Sequence, residues 1–369
     1  MLKQFDRETR RTLEEYGFAE VPFEALGARL KANGFNADDA RLRAEIELAD
    51  PGILRRTPEP GSAEGKRLAA IGREAIASGA VGAVVLNGGM ATRFGGVVKG
   101  VVEAYGGRSF LDLKLSQIDA ASGGRAPILL MNSFSTARDT ARHLEEIGFA
   151  GRARCFSQFV SVRLAPDGGV FLAADGKPSL HAPGHGDFSY ALAASGELAR
   201  FIDGGGRWLT LSNVDNLGAG LDPIVIGMHV EGGNPISVEL VETRPGDVGG
   251  FPARVGGHVA IVEAFRLPRS FDVTTIPVFN TNTFVFDAAA LASHPPLDWF
   301  AVKKQVDGRD AIQFERLVGQ LTEHLAVTWL LVPREGALSR FVPIKVPADL
   351  ESSAADLRAV LTAQGVLGA

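Results

Sequence analysis

From residue 81 onward, short runs rich in Val, Leu and Ile alternate with stretches whose apolar residues fall three and four apart. The runs at 81–86, 126–131, 153–160 and 207–212 read as buried strands, and 136–146 and 187–201 as helices between them. Ser109, followed three residues later by Asp112, marks the start of another helix running to about residue 120. The turn Pro166-Asp-Gly-Gly169 folds a strand back onto 170–172. Strands alternating with helices in this way predict an open, mostly parallel α/β sheet, whose ligands gather beyond the carboxyl ends of the strands.

The flanks carry a different pattern. Helical spacing recurs at 20–34, 36–49 and 63–79, with breaks at Asp50-Pro51 and Pro58-Glu-Pro60, so residues 1–80 are expected to form an N-terminal helical segment. The main domain then spans 81–346. Within it, 236–243, 251–255 and 258–265 read as consecutive strands with Gly-rich turns, an α+β insertion over 235–280. A strand at 283–286, a helix at 311–321 and a strand at 326–332 follow, and 347–369 reads as a C-terminal helix.

Composition narrows the class. The 369 residues are 46% hydrophobic and 22% charged, with a formal net charge of −5 and no long Lys/Arg cluster. That balance fits an ordinary globular protein and argues against a nucleic-acid partner. A single cysteine, Cys155, leaves no internal disulfide. The charged N-terminus does not read as a secretory signal, and no apolar run is long enough to span a bilayer, so no membrane is expected and a cytoplasmic location is. The 44 glycines are not periodic; they cluster between apolar runs, as loops gathered at one face of a sheet would require.

The first chemically suggestive loop follows the 81–86 strand. It runs Leu86-Asn-Gly-Gly89, then Thr92 and Arg93, then Lys99. Glycines at the end of a buried strand let backbone N–H groups approach a ligand, and Arg93 and Lys99 supply positive charge for phosphate oxygens. It is neither a Walker A loop nor Gly-x-Gly-x-x-Gly. A second cluster, Ser212-Asn-Val-Asp-Asn-Leu-Gly218, ends an apolar strand and puts Asn213 and Asp215 at period-2 spacing. A carboxylate there suits Mg²⁺, which needs only one or two protein carboxylates besides phosphate oxygens and water. Around Pro183-Gly-His-Gly-Asp187, His181 and His185 lie four apart, but Pro183 and Gly184 forbid the helix that would make them a metal pair; a glycine-flanked His185 suits hydrogen bonding to a ligand's phosphate or sugar, though by itself it reads equally as an ordinary loop residue. Phe279-Asn-Thr-Asn282 offers amides suited to sugar hydroxyls, and Lys345 ends a predicted strand as a cation.

Together these motifs resemble the UDP-glucose pyrophosphorylase family, the eukaryotic-type UTP–glucose-1-phosphate uridylyltransferases. The matching pieces also include Ser157-Gln158, Asp247-Val-Gly-Gly250, Gln313-Phe-Glu315 and Arg340-Phe-Val-Pro-Ile-Lys345, and the likeness covers about 80–350. It implies a GT-A-like (Rossmann-like) nucleotide-binding mixed sheet flanked by helices. Carried over residue by residue, Gly88 and Gly89 would contact the uridine through their backbone, Gln158 would read the uracil edge, and Lys99 would bind phosphate. Asp215 would be the Mg²⁺ ligand. His185, Asn213, Gly250, Glu263 and Asn282 would line the sugar-phosphate site, with Lys345 holding the phosphates from the far side. Met90-Ala91 replaces the family's usual Leu-Gly, and Val248 stands where a lysine often precedes the paired glycines. Relatives usually continue into a carboxyl-terminal β-helix used for self-association; with none here, a monomer is expected.

The reaction so implied joins UTP and glucose 1-phosphate into UDP-glucose and pyrophosphate. Its nucleophile is already an anion at pH 7, which accounts for the absence of a Ser/His/Asp triad. Two alternatives remain at this point: a UDP-N-acetylhexosamine or broad UDP-sugar pyrophosphorylase, and a non-catalytic nucleotide-sugar-binding protein of the same fold.

Overall fold

The apolar runs become four adjacent strands at one side of an eight-stranded sheet. The computed structural model describes residues 5–91, 96–247 and 249–368. In chain order the sheet's strands are β1 (Leu54–Arg56), β2 (Val81–Leu86), β3 (Ile128–Asn132), β4 (Ala153–Ser157), β5 (Trp208–Asn213), β6 (Ile236–Glu242), β7 (Val278–Asp287) and β8 (Val327–Leu331). Their spatial order is β1-β8-β6-β7-β5-β2-β3-β4. β7 runs antiparallel to both its neighbours, and the other pairings are parallel. Both faces are covered: Val84 and Leu86 of β2 belong to one buried cluster, while Val81, Ala83 and Val85 belong to another. Burial on both faces is why these strands read as continuous apolar runs rather than as alternation.

Register then decides what meets at the carboxyl edge. Leu86 pairs with both Asn213 and Met131, and Asn132 pairs with Ser157. The segments that follow β2, β3, β4 and β5 therefore leave the sheet side by side. β7 reaches the same edge from the other direction, since its Phe284 pairs with Leu211.

The first 80 residues are not simply helical. Helices at Glu20–Asn33 and Ala63–Ala77 form as expected, joined by one at Arg7–Glu15. The expected helix over 36–49 does not form. Asn36 caps a short 3₁₀ turn, Ala37–Ala40, by accepting from the Asp38 N–H, and Ile46–Leu48 is a strand paired with Phe251–Val255. Leu54–Arg56 contributes the edge strand β1 to the central sheet. The expected 235–280 insertion is likewise divided. Ile236–Glu242 is β6 of the central sheet, while Phe251–Val255 and His258–Val262 form a small antiparallel sheet with Ile46–Leu48.

The expected helix at 311–321 is also replaced. Arg309–Glu315 is a strand pairing with Phe300–Val306 around Asp307-Gly308, both with positive φ, and a 3₁₀ turn follows at Val318–Glu323. An Asp-Gly turn of that conformation matches the twist of a hairpin and overrides the helical spacing of the apolar residues. The 187–201 helix breaks at Gly196 (φ +78) into Phe188–Ala194 and Glu197–Asp203. The tail forms two short helices, Pro347–Ser352 and Ala354–Ala363.

Candidate active site

A cleft of about 300 Å³ opens at the carboxyl edge, lined by Gly88, Gly89, Lys99, Gln158, His185, Asn213 and Asp215 among others. Seven residues named from the sequence thus meet in one place. Thr92, Arg93 and Val248 lie outside the described residues.

Gly88 and Gly89 follow β2 directly. A Cβ on Gly88 would collide with the Gln158 amide, so only glycine lets that side chain cross the loop. Gln158 is buried, anchored through its backbone N–H to the Asn132 carbonyl (2.9 Å), and no described residue hydrogen-bonds its amide. A Cβ on Gly89 would meet no described residue within 4 Å. Beneath the loop, Asn87 donates to Asn132 Oδ1 (2.9 Å) and Thr140 Oγ1 (2.8 Å), and Ser133 donates to the Gly88 carbonyl (2.8 Å).

Lys99 and Asp215 form the charged centre. Lys99 Nζ donates to the Ile344 carbonyl (2.6 Å), sits 4.8 Å from the Phe110 ring centroid, and lies 4.0 Å from Asp215 Oδ2. The lysine side chain is 10% exposed and that of Asp215 is 28% exposed, so the carboxylate is the more open partner. Burial pushes the Asp215 carboxyl up, while Lys99, Lys114 and Lys345 pull it back toward the charged form. Lys345 itself is exposed, and its backbone N–H is taken by Asp349 (2.6 Å). The segment before it is extended rather than a strand, fixed by a bridge from Pro343 to Asn216.

The turn after Asp215 is held from within. Lys114 donates to the Asn216 and Ala219 carbonyls (2.6 and 2.9 Å), Gln117 to the Leu217 carbonyl (2.6 Å) and Gln364 to the Gly218 carbonyl (3.2 Å). The Asn216 side chain spans to the neighbouring segment, donating to the Arg340 carbonyl and accepting from the Val342 N–H. Arg340 is in turn paired with buried Glu239 (2.8 Å from Nε). Sequence reasoning missed Lys114 and Gln117. The available signal was a lysine flanked by Leu113 and Leu115 in the apolar first half of a helix.

His185 closes another wall. Its Nδ1 accepts from the Val318 N–H (3.1 Å), which leaves the ring proton on Nε2 as a donor, and burial lowers its pKa to about 4. The flanking glycines lie against the backbone of Arg316 and Leu317. Asp187, fully buried, is held by Arg316, whose guanidinium stacks on Tyr190 and Trp299 (4.4 Å to each centroid).

Asn282 joins the cleft through Asn213, donating Nδ2 to its Oδ1 (3.0 Å). It achieves this from a left-handed backbone (φ +58) beside a bulge where β6 and β7 shift register. Asn is among the few residues that tolerate that conformation. Gly250 and Glu263 meet one step away: a Cβ on Gly250 would fall 2.7 Å from Glu263 Oε1, and Gly319, next to Val318, packs against the same side. Burial raises the Glu263 carboxyl to about 7, partly offset by Arg266. Asp247 instead points to Arg334, which it holds at 2.5 and 2.9 Å.

A family model described as UTP–glucose-1-phosphate uridylyltransferase (UDPGP) matches residues 69–364. The chain belongs to this family. The uridylyltransferase of Saccharomyces cerevisiae is 32% identical over 297 residues, covering 74% of this chain and 58% of the yeast protein. This family member thus spans less than two thirds of that relative. Among solved structures, a UDP-glucose pyrophosphorylase variant from Leishmania major in complex with UDP-glucose aligns with a TM-score of 0.67 at 21% identity, covering 91% of this chain and 76% of the other. The uridine diphosphate N-acetylglucosamine pyrophosphorylase of Trypanosoma brucei, in complex with an inhibitor, aligns at 0.70 and 20% identity, covering 83% and 72%. At those identities the structural likeness is one of fold.

Proposed function

We propose that the protein transfers a uridylyl group from UTP to glucose 1-phosphate, forming UDP-glucose and pyrophosphate. The observation that carries this reading is the meeting of Gly88, Gly89 and Gln158 with the Lys99–Asp215 pair in one cleft, in a chain of the uridylyltransferase family. A sugar-phosphate oxygen attacks the α-phosphorus of UTP; the new P–O bond forms as the α–β P–O bond breaks and pyrophosphate leaves. The attacking oxygen is already anionic, so the protein's task is positioning and charge compensation. Gly88 and Gly89 offer backbone N–H groups, and the Gln158 amide, which no described residue engages, suits a pyrimidine edge. Lys99 offsets phosphate charge from a fixed place, with Arg93 and Lys345 as further cations. His185 donates through Nε2 without adding charge, and Asn213, Asn282, Gly250 and Glu263 line the sugar side.

The donor set suits Mg²⁺ arriving with the nucleotide. Among the described residues no three His, Cys, Asp or Glu side chains cluster as a metal cage. Asp215 alone fits an ion that takes one protein carboxylate and completes its shell with phosphate oxygens and water. When bound, Mg²⁺ would supply charge neutralisation at the phosphates.

UTP-dependent release of pyrophosphate, measured with a panel of sugar 1-phosphates, tests the reading. Release with glucose 1-phosphate as the preferred acceptor is expected. Preference for an N-acetylhexosamine 1-phosphate would reassign the sugar, and UTP binding with no release under any acceptor would reduce the protein to a binder.

A further inference from the structure

We propose that Lys114 is a positioning residue for Asp215: by charge-assisted hydrogen bonds to the Asn216 and Ala219 carbonyls it fixes the turn on which the carboxylate sits. The inference rests on the reading of Asp215 as the carboxylate that faces the nucleotide phosphates.

An ammonium with no exposure is an expensive way to satisfy two carbonyls. The same turn shows the cheaper solution twice, where the neutral amides of Gln117 and Gln364 hold the Leu217 and Gly218 carbonyls. A charge at position 114 therefore does something that an amide in its place would not. Its two acceptors bracket the turn at both ends, so one rigid point source pins residues three apart. Hydrogen bonds from an ionised donor are about twice as strong as neutral ones. Asp215 and Glu239 face Lys114 and favour its charge, while burial and the Arg340 guanidinium oppose it, leaving its pKa at about 7. Arg340 is neutralised by its own partner, Glu239. Asp215, which also faces Lys99 at 4.0 Å, is the first of the two carboxylates that favour the charge on Lys114, and the two are held in fixed relation through the backbone of Asn216.

Lys114→Met keeps the length and apolar stem and removes the ammonium. Turnover is expected to fall about 10–100-fold, the scale of a small misplacement at a reacting centre, with KM for UTP and for glucose 1-phosphate within about threefold of wild type. Amide hydrogen exchange across 213–220 should rise about tenfold or more, while the melting temperature stays close to wild type because the desolvated charge is gone. Gln117→Met supplies the contrast: it removes a neutral donor from the same turn and should lower turnover by less than about threefold. Unchanged exchange over 213–220 in Lys114→Met overturns the proposal. So does a turnover loss equal to that of Gln117→Met, or one that merely follows a fall in melting temperature. A wild-type protein without transferase activity would refute the uridylyltransferase reading instead, and the exchange measurement would still decide the role of Lys114.

Discussion

Two loops leave adjacent parallel strands at the same edge and are built by opposite means. After β5, the turn carrying Asp215 has its carbonyls taken by Lys114, Gln117 and Gln364, its Asn216 side chain locked between two backbone groups, and Leu217 fully buried. After β2, no described residue comes within 4 Å of a Cβ on Gly89, and the antiparallel pair Met90–Ala91 and Val97–Val98 leaves Met90 and Val97 exposed. One wall of the cleft is completed by the protein before any ligand arrives; the other presents backbone for a ligand to complete. Catalysis by charge compensation needs the first kind of wall, because a group placed in advance does not have to reorganise as charge moves. Recognition of a large anion, as in the proposed function, needs the second, because a side chain would fill the space the anion must enter.

Lys99 belongs to both walls, and removing it should produce the largest effect. It follows the Val97–Val98 strand in sequence, yet its ammonium is fixed against Ile344 and Phe110 and lies beside Asp215. Lys99→Ala should lower turnover by about 10²–10³, the usual cost of one well-placed electrostatic contact. Steady-state kinetics on the purified variant checks this, and near-normal turnover would remove Lys99 from the mechanism.

Two glycine substitutions sharpen the contrast at smaller scale. In Gly218→Ala the new Cβ would lie 2.6 Å from the Arg340 carbonyl carbon and 2.7 Å from the Phe341 nitrogen, backbone on both counts. Neither can step aside, so a loss of about 1–3 kcal/mol in stability is expected, as for overpacking elsewhere. Gly89→Ala meets nothing among the described residues and should leave stability within about 0.5 kcal/mol, while raising KM for UTP. Denaturant titration together with KM separates the two. Equal stability losses would mean that the loops do not differ as described.

The same physical difference decided what could be read from the sequence. Strands buried on both faces announce themselves as apolar runs, and the polar groups just past their ends (Gly88, Asn213, Asp215) stand out against them. Gln158, placed by resemblance, sits at the same edge. Short strands paired far along the chain do not announce themselves. Ile46–Leu48 needs Phe251–Val255 to be a strand, and nothing in 36–49 reveals the partner. The 311–321 segment was decipherable in principle, since Asp307-Gly308 is a hairpin signal, but the helical spacing of Ala311, Ile312, Phe314, Leu317, Val318 and Leu321 competes with it. Glu263 and Gly250 were placed by resemblance alone, and they meet because a small sheet folds them together. Lys114 acts on carbonyls about a hundred positions later, a relation no local pattern encodes.

An effect confined to acidic pH tests whether the His185 wall is as closed as the turn after Asp215. His185 has a folded pKa of about 4 against an ordinary 6.5, because burial disfavours its charged form. Between those values the unfolded chain binds a proton that the folded protein does not. The stability this contributes is therefore complete above pH 6.5 and is lost as pH falls toward 4, at up to about 1.4 kcal/mol per pH unit. His185→Gln keeps an acceptor for the Val318 N–H and removes the titration. The stability difference between wild type and variant should accordingly shift against the wild type on going from pH 7 to pH 5, by thermal or denaturant unfolding. A constant difference would mean that the imidazole takes up its proton in the folded protein as readily as in the unfolded chain. The His185 wall would then admit water, and under the proposed function the ring would meet its ligand as a cation at acidic pH rather than as a neutral donor.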